Sequence, residues 1–218
     1  MNCLVTAGPT FEPLDDVRRL TNFSTGRLGA ELANFLTARG HRVTLLFGES
    51  ATFKGECCAQ AVRTFATTAD LRAQLKAFSR RKVEAIFHAA AVSDFSFGKM
   101  FRRNATGKLQ PFTPSKKIST RGGDLFVELK PTPKIIAELR RWFPKTKIVG
   151  WKFEAEGGRA AALCAAKKQI ADCRTDACVA NGPAYGKGFS LVTSDGGQRH
   201  FAGAQKLFAT LEKIIYDG

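Results

Sequence analysis

Apolar residues in this chain follow two periods. Five short runs, CLVTA (residues 3–7), RVTLLF (42–47), VEAIFHAAAV (83–92), KIVGWK (147–152) and ACVAN (177–181), are apolar or β-branched with almost no alternation. That is the pattern of strands buried on both faces of a parallel sheet. Between them, apolar positions recur at helical spacing: Leu28, Leu32, Phe35 and Leu36, then Leu71, Leu75 and Phe78, then Ile135, Ile136, Leu139 and Trp142. Each set marks one face of a helix. Ser24 and Thr68 are candidate N-caps, Gly40 stands where a left-handed residue closes the first helix, and Pro133 suits the first turn of the third. The alternation predicts an α/β fold: a doubly wound, mostly parallel sheet sandwiched by helices, Rossmann-like.

Two stretches leave this pattern. Residues 93–119 are polar and rich in Gly, Pro and Lys, which predicts a long active-site lid loop or a disordered strip. SLVTSDGGQRHF (190–201) reads as a C-terminal hairpin around an Asp-Gly turn, followed by a closing helix over about residues 204–216. No internal repeat or linker interrupts the chain. At 218 residues, one nucleotide-binding domain over residues 1–218 is expected.

Composition narrows the partners without choosing among them. With 34 Lys+Arg against 19 Asp+Glu, the formal charge is +15, a balance that attracts nucleic acid, acidic membranes or small polyanions such as nucleotides. The six cysteines form no C-x-x-C pair, and no histidine stands near Cys57 and Cys58. Reduced thiols of a cytoplasmic protein are expected, with neither a disulfide framework nor structural zinc. No basic leader or apolar run of membrane length is seen, so neither a signal peptide nor a membrane association is expected.

In an open α/β sheet, ligands collect at the carboxyl ends of the strands. Five features converge there: Gly8-Pro9-Thr10, Ser24-Thr25-Gly26, the stretch from Ala89, Ala90 and Ala91 to Asp94, Lys116-Lys117-Ile118, and Gly150-Trp151-Lys152-Phe153-Glu154. The Ser-Thr-Gly turn can offer hydroxyls and backbone N–H groups to an anion, or can be an ordinary cap. Three alanines keep a strand end flat for a planar base, or serve close packing. Asp94 can hold Mg2+ between phosphates, or cap a loop. Lys117 can swing onto a phosphoryl group and neutralise growing charge. For Asn22, flanking Leu20 and Phe23 are expected to bury the segment and leave the amide aimed into the cleft.

These strings together resemble the phosphopantothenoylcysteine synthetase family, ligases of coenzyme A biosynthesis. LVTAGPTFEPLDDVRRLTNFSTGRLGAELA carries most of the likeness, with AAAVSDF, the SKKIS lysines, KPTPKI and the VANG-to-hairpin region following in the family's order. The resemblance implies that 4'-phosphopantothenate attacks the α-phosphate of a nucleoside triphosphate, giving an acyl-nucleotidylate that the cysteine amine then resolves. By resemblance, Asn22 steadies that intermediate and Lys117, or Lys116 one position away, is needed to form it. Residues 24–26 match a phosphate turn, Ala89 to Ala91 a nucleotide platform, Asp94 a nucleotide or metal contact, and Trp151 the aromatic beside the base. No decarboxylase half is present, so the likeness is to the stand-alone synthetase and implies no flavin; it also implies Mg2+ and a homodimer.

The family's pattern is broken at Pro9, which stands where a glycine is usual and removes an N–H, and at Gln169 and Cys173, which replace lysines of the CTP-using enzymes. WKFEAEG leans towards the ATP-using branch, with CTP the alternative. The insertion FEPLDDVRRLTN, which sets the phosphate turn about fifteen residues beyond the first strand, is read as the reach that brings Asn22 to the acyl phosphate. Two rivals are weighed. A short-chain dehydrogenase using NAD(P) requires a Tyr-x-x-x-Lys pair, and neither Tyr185 nor Tyr216 has one. A basic nucleotide- or nucleic-acid-binding module without turnover would stack bases on Phe95, Phe97, Phe101 and Phe112; the lid over a small polyanion explains the same residues, so nucleic acid is the less favoured partner.

Overall fold

All five apolar runs become strands of one sheet. The computed structural model describes residues 1–113 and 116–216. The first half runs β1 (Asn2–Ala7), β2 (Phe11–Pro13), β3 (Arg19–Thr21), α1 (Arg27–Ala38), β4 (Arg42–Gly48), β5 (Ala61–Phe65), α2 (Thr68–Phe78) and β6 (Ala85–His88). Then follow β7 (Phe95–Arg103), β8 (Leu109–Phe112), β9 (Leu125–Pro131), α3 (Ile135–Trp142), β10 (Lys147–Phe153) and α4 (Gly158–Cys173). The chain closes through β11 (Ala177–Asn181), β12 (Phe189–Thr193), β13 (Gln198–Phe201) and α5 (Ala204–Ile214).

Among the described residues, eight strands form the main sheet in the order β13-β12-β11-β10-β6-β1-β4-β5. The six from β11 to β5 are parallel; β12 and β13 join antiparallel at one edge. Alternate residues of each central strand feed two cores. Val5 and Phe87 pack with Leu32 and Leu36 of α1 and Leu207 and Phe208 of α5, while Leu4 and Ile86 pack with Leu71 and Leu75 of α2 and Leu139 of α3. This double burial is why the strands read as unbroken apolar runs. Each fully covered Leu or Phe contributes about 1.5–3 kcal/mol of burial.

Several expectations are corrected. Residues 93–119 are not a structureless lid: β7 and β8 arise there and pair with β9 as a three-stranded antiparallel sheet in the order β8-β7-β9. Its strands are half-exposed, so no apolar run announced them; residues 114 and 115 of that stretch lie outside the described residues. The N-cap of α1 is Gly26, not Ser24, and that of α2 is Thr67, whose hydroxyl accepts from Asp70 N at 3.1 Å, not Thr68. Pro133 precedes the cap of α3, Lys134, rather than standing in its first turn. Gly40, with φ 84°, follows α1 as expected. The strand expected over residues 83–92 ends at His88.

Two elements gave no periodic signal. In α4 the buried positions are Ala162, Ala166, Ile170 and Cys173, mostly small residues that make only a weak apolar stripe. β5 is exposed along most of its length, as the edge strand of a sheet can be.

The seat of α1 on β1 depends on Gly29, where a Cβ would lie 2.5 Å from Ala7 Cβ and 3.2 Å from Thr6 O. Gly29→Ala must lift the helix from the strand and is expected to cost about 1–3 kcal/mol. Urea unfolding would show a lower midpoint at unchanged slope.

Candidate active site

Crossovers part at one place in this sheet. β1 pairs with β4 on one side and β6 on the other; α1 lies on one face, α2 and α3 on the other. The carboxyl ends of β1 and β6 therefore open into a crevice that neither layer covers, the switch point where doubly wound folds bind ligands. A cavity of about 620 Å3 occupies it, lined by residues 22–29, Ala89, Ala90, Ala91, Trp151, Phe153 and Asn181. Another cavity, of about 340 Å3, lies at the amino ends of β1 and β4 beside Arg42 and Arg81, away from the helix N-termini. The larger one has both the room and the dipoles.

The Ser-Thr-Gly turn is made by backbone shape. Gly26 has φ 77°, and a Cβ there would meet the Phe47 ring at 2.8 Å, so only glycine fits the tight entry to α1. Thr25 accepts from Arg27 N through Oγ1 at 3.2 Å and from Phe53 N through its carbonyl at 2.9 Å. Ser24 N donates to Asn22 O at 2.9 Å. The Ser24 hydroxyl is thus not consumed as a cap.

Asn22 stands on the cavity wall, but not for the expected reason. Leu20 and Phe23 are exposed rather than buried. The segment is held instead by the β2–β3 hairpin, with Thr21 Oγ1 donating to Thr10 O at 3.0 Å and Asn22 Nδ2 to Ala91 O at 3.1 Å. Gly8 and Thr10 sit beneath the site and do not line it. Thr10 is fully buried: its hydroxyl pairs with Thr68 Oγ1 at 3.2 Å and accepts from Ser93 N at 2.8 Å. Pro9 forms a parallel bridge with Ala91.

The same insertion grips the lysine segment. Asp15 accepts from Val17 N, Arg18 N and the Arg18 guanidinium, and its Oδ2 also accepts from Ile118 N at 3.0 Å. Arg18 donates to Ile118 O at 2.7 Å, and Asp16 N to Lys116 O at 3.0 Å. The Arg18 guanidinium, with the backbone donors, holds the Asp15 carboxyl well below the usual carboxylate range. Lys116 and Lys117 are exposed and do not line the cavity.

A smaller cavity of about 210 Å3 adjoins across Ala90, Trp151 and Phe153, and here lie Asp94, Lys134, Lys152, Gln169 and His88. The Trp151 indole Nε1 is buried without a partner among the described residues. Lys152 pairs with Glu154 at 3.3 Å. Asp94 is exposed, and among the described residues no group of three or more His, Cys, Asp or Glu could hold a metal. Gln169 Nε2 contacts Cys178 Sγ at 3.1 Å and Cys173 is buried, so these positions carry no cation. All six cysteines are free; burial pushes Cys3 and Cys178 up to about 12, which keeps both as thiols.

His88 ends β6, buried and without a charge partner, and desolvation pulls its pKa down to about 4. Its Nδ1 lies 2.9 Å from Thr6 Oγ1, which accepts from Ala90 N at 3.1 Å. Thr6 and the neutral imidazole share that hydrogen bond, and the Thr6 hydroxyl pins the alanine platform through Ala90 N.

Phe153 lines the cavity beside Trp151 as the strand-end feature suggested, whereas sequence reasoning missed Arg27 and Asn181 on the same wall. Asn181 ends an expected strand, which is the one signal that pointed to it; Arg27 is hidden in a basic chain. Two rival readings lose footing. Arg102 lies over the Phe112 ring at 4.3 Å, so this chain's own guanidinium covers a supposed stacking surface. Tyr185 is buried, its hydroxyl 2.8 Å from His200 Nδ1 and receiving from Arg159 at 2.9 Å.

Comparison with known proteins adds the following. The family model for the DNA/pantothenate metabolism flavoprotein C-terminal domain matches residues 1–197. A cysteine/cysteine sulfinic acid decarboxylase from an unknown prokaryotic organism is 34% identical over 70% of this chain and 38% of that protein. The coenzyme A biosynthesis bifunctional protein CoaBC of Thermococcus kodakarensis is 32% identical over 82% of this chain and 40% of that protein. The chain thus spans about two fifths of the length of these curated relatives. The solved DNA/pantothenate metabolism flavoprotein from Streptococcus pneumoniae has the same fold, with a TM-score of 0.84 at 23% identity over 99% of this chain and 98% of that one. So has a Cab2 mutant in complex with phosphopantothenate-cysteine, at 0.73 and 19% over 99% and 85%.

His88 makes stability depend on pH. Its folded pKa lies below the unfolded value near 6.5, so the unfolded chain binds the extra proton and stability falls with pH between about 6.5 and 4. Wild type should lose about 2 kcal/mol from this residue between pH 7 and pH 5. His88→Asn, which keeps an acceptor for Thr6, should flatten that slope in urea titrations at the two pH values.

Proposed function

The chain belongs to the DNA/pantothenate metabolism flavoprotein C-terminal domain family, and from that membership we propose that it joins 4'-phosphopantothenate to L-cysteine through an acyl-nucleotidylate. The substrate carboxylate attacks the α-phosphorus of a nucleoside triphosphate, forming a mixed anhydride and expelling pyrophosphate. The cysteine amine then attacks the acyl carbon, loses a proton as the amide forms, and releases the nucleoside monophosphate. One observation carries this reading: the switch-point cavity of about 620 Å3 brings Asn22, the residue 24–26 turn, the alanine platform and Trp151 into one wall.

The roles follow from chemistry. Asn22 spends one amide hydrogen on Ala91 O, leaving its other hydrogen and Oδ1 for the acyl phosphate. A neutral amide orients that group without attacking it. Ser24, Thr25 and the first N–H groups of α1 receive phosphate oxygens, and the small methyl groups of Ala89, Ala90 and Ala91 let a planar base or sugar lie flat. Lys117 supplies mobile positive charge to the oxygens as pyrophosphate departs; the Asp15–Arg18 clasp on Ile118 keeps its segment beside the Asn22 hairpin.

Magnesium belongs to this reading as the companion of the triphosphate. Asp94 is a lone exposed carboxylate, and it fits a Mg2+ that draws its remaining ligands from phosphates and water. A cytoplasmic homodimer using ATP, with CTP the alternative, completes the proposal, and the reaction needs no flavin.

Purified protein should release pyrophosphate with phosphopantothenate and a triphosphate alone, and make the amide only when cysteine is added; supplying ATP or CTP singly identifies the nucleotide. Lys117→Gln should cut pyrophosphate release by about 100-fold or more, with Lys116→Gln as the neighbouring control. Asn22→Asp should release pyrophosphate yet resolve the intermediate slowly, seen as acyl-nucleotidylate in quenched samples. Wild-type turnover in both the Lys117 and Asn22 variants would refute these roles.

A further inference from the structure

Arg27 is the only charged side chain lining the larger cavity among the described residues, and it stands where helix electrostatics disfavour it. It is the first residue of α1, whose first turn has no acid. A cation there opposes the positive end of the helix dipole, typically by 0.3–1 kcal/mol. Its one partner is Glu31, with Nε donating to Oε1 at 2.6 Å. Arg before Glu at this spacing is the less favourable order for helix stability, and both side chains keep contact with water, 70% and 32% exposed. The pair therefore does little for the fold. Its terminal amino groups have no partner among the described residues. An anion bound at the turn would reverse the sign of this cost, since it would meet the helix N-terminus and the guanidinium together.

We propose that Arg27 is the phosphate anchor of the cleft, closing bidentately on a phosphate group held at Ser24-Thr25-Gly26, while Glu31 keeps the guanidinium over the cavity before the ligand arrives. A guanidinium fork matches two phosphate oxygens as a lysine ammonium cannot. The identity of the phosphate rests on the ligase reading above, in which two substrates carry one: the phosphomonoester of the acid and the triphosphate. The anchor itself requires only that the cavity take a phosphate.

Kinetics with wild type, Arg27→Ala, Arg27→Lys and Glu31→Gln, varying each substrate in turn, test this. Arg27→Ala should raise KM for one phosphate-bearing substrate by about 10–100-fold, the worth of hydrogen bonds to a charged group, with kcat within threefold and KM for cysteine unchanged. The substrate affected tells which phosphate is held. Arg27→Lys should recover only part of the loss, and Glu31→Gln, which keeps an acceptor oxygen for Arg27 Nε, should leave that KM within threefold of wild type. Thermal melting should show Arg27→Ala as stable as wild type or slightly more so, the opposite of a structural role. Calorimetric titration with inorganic pyrophosphate gives a reading independent of turnover: binding to wild type at least tenfold tighter than to Arg27→Ala supports the anchor even if no amide is made, in which case only the ligase reading fails. Equal pyrophosphate affinity in the two proteins, or Arg27→Ala with both KM values within threefold of wild type, overturns it.

Discussion

The divergence of the crossover helices between β1 and β6 is the constraint on which the site depends. β1 sends its chain through α1 to β4 on one face, while the chain from β6 passes to β10 through α3 on the other. Helices that leave on opposite faces cannot close the strand ends between them, so a crevice is a consequence of winding order rather than of any one side chain. What fills it is then set by residues just past each strand end, where the parallel ladder runs on irregularly: Ala89 N donates to Thr6 O and Ala91 N to Gly8 O. Gly8, Thr10 and His88 lie under that continuation and hold the platform, which is why chemically suggestive residues there serve the backbone.

The segment from Phe11 to Asn22 does two jobs through one hydrogen-bond set. Its hairpin carries Asn22 to the cavity wall, and its Asp15–Arg18 turn clasps Ile118 beside the lysines. Because Asp15 stays ionised far into acid, the clasp persists through the pH range in which an enzyme works. Two stretches joined by a contact across 103 residues of sequence are thereby coupled mechanically. The lysine segment lies between β8 and β9 of the three-stranded sheet, which is anchored at its base where Thr132 N donates to Asp94 O at 2.9 Å.

Charge is distributed unevenly relative to that frame. A formal +15 gives the whole surface a field that draws small polyanions inward, yet among the described residues the larger cavity itself carries one cation. Long-range attraction and local recognition are thus separate tasks, and the second falls to main-chain donors, hydroxyls and a single guanidinium. Beneath the alanine platform, burial keeps His88 unprotonated, so it adds no charge under the cavity.

Sequence alone determined the layers. Unbroken apolar runs such as CLVTA and RVTLLF suit strands covered on both faces, and the spacing of Leu28, Leu32 and Leu36 suits a helix over them, because hydrophobic periodicity is a local property of the chain. It also picked out Asn22, the Ser-Thr-Gly turn, the alanines and Trp151, whose order along the chain is itself a pattern. Only the tertiary structure decided which of these face the cavity. Thr10 turned inward, Phe23 outward, and residues 93–112 folded as half-exposed strands whose pairing with β9 no local pattern encodes. Burial and partner choice are made by contacts between distant segments, and Arg27, one basic residue among many, acquired its meaning only from the wall in which it stands.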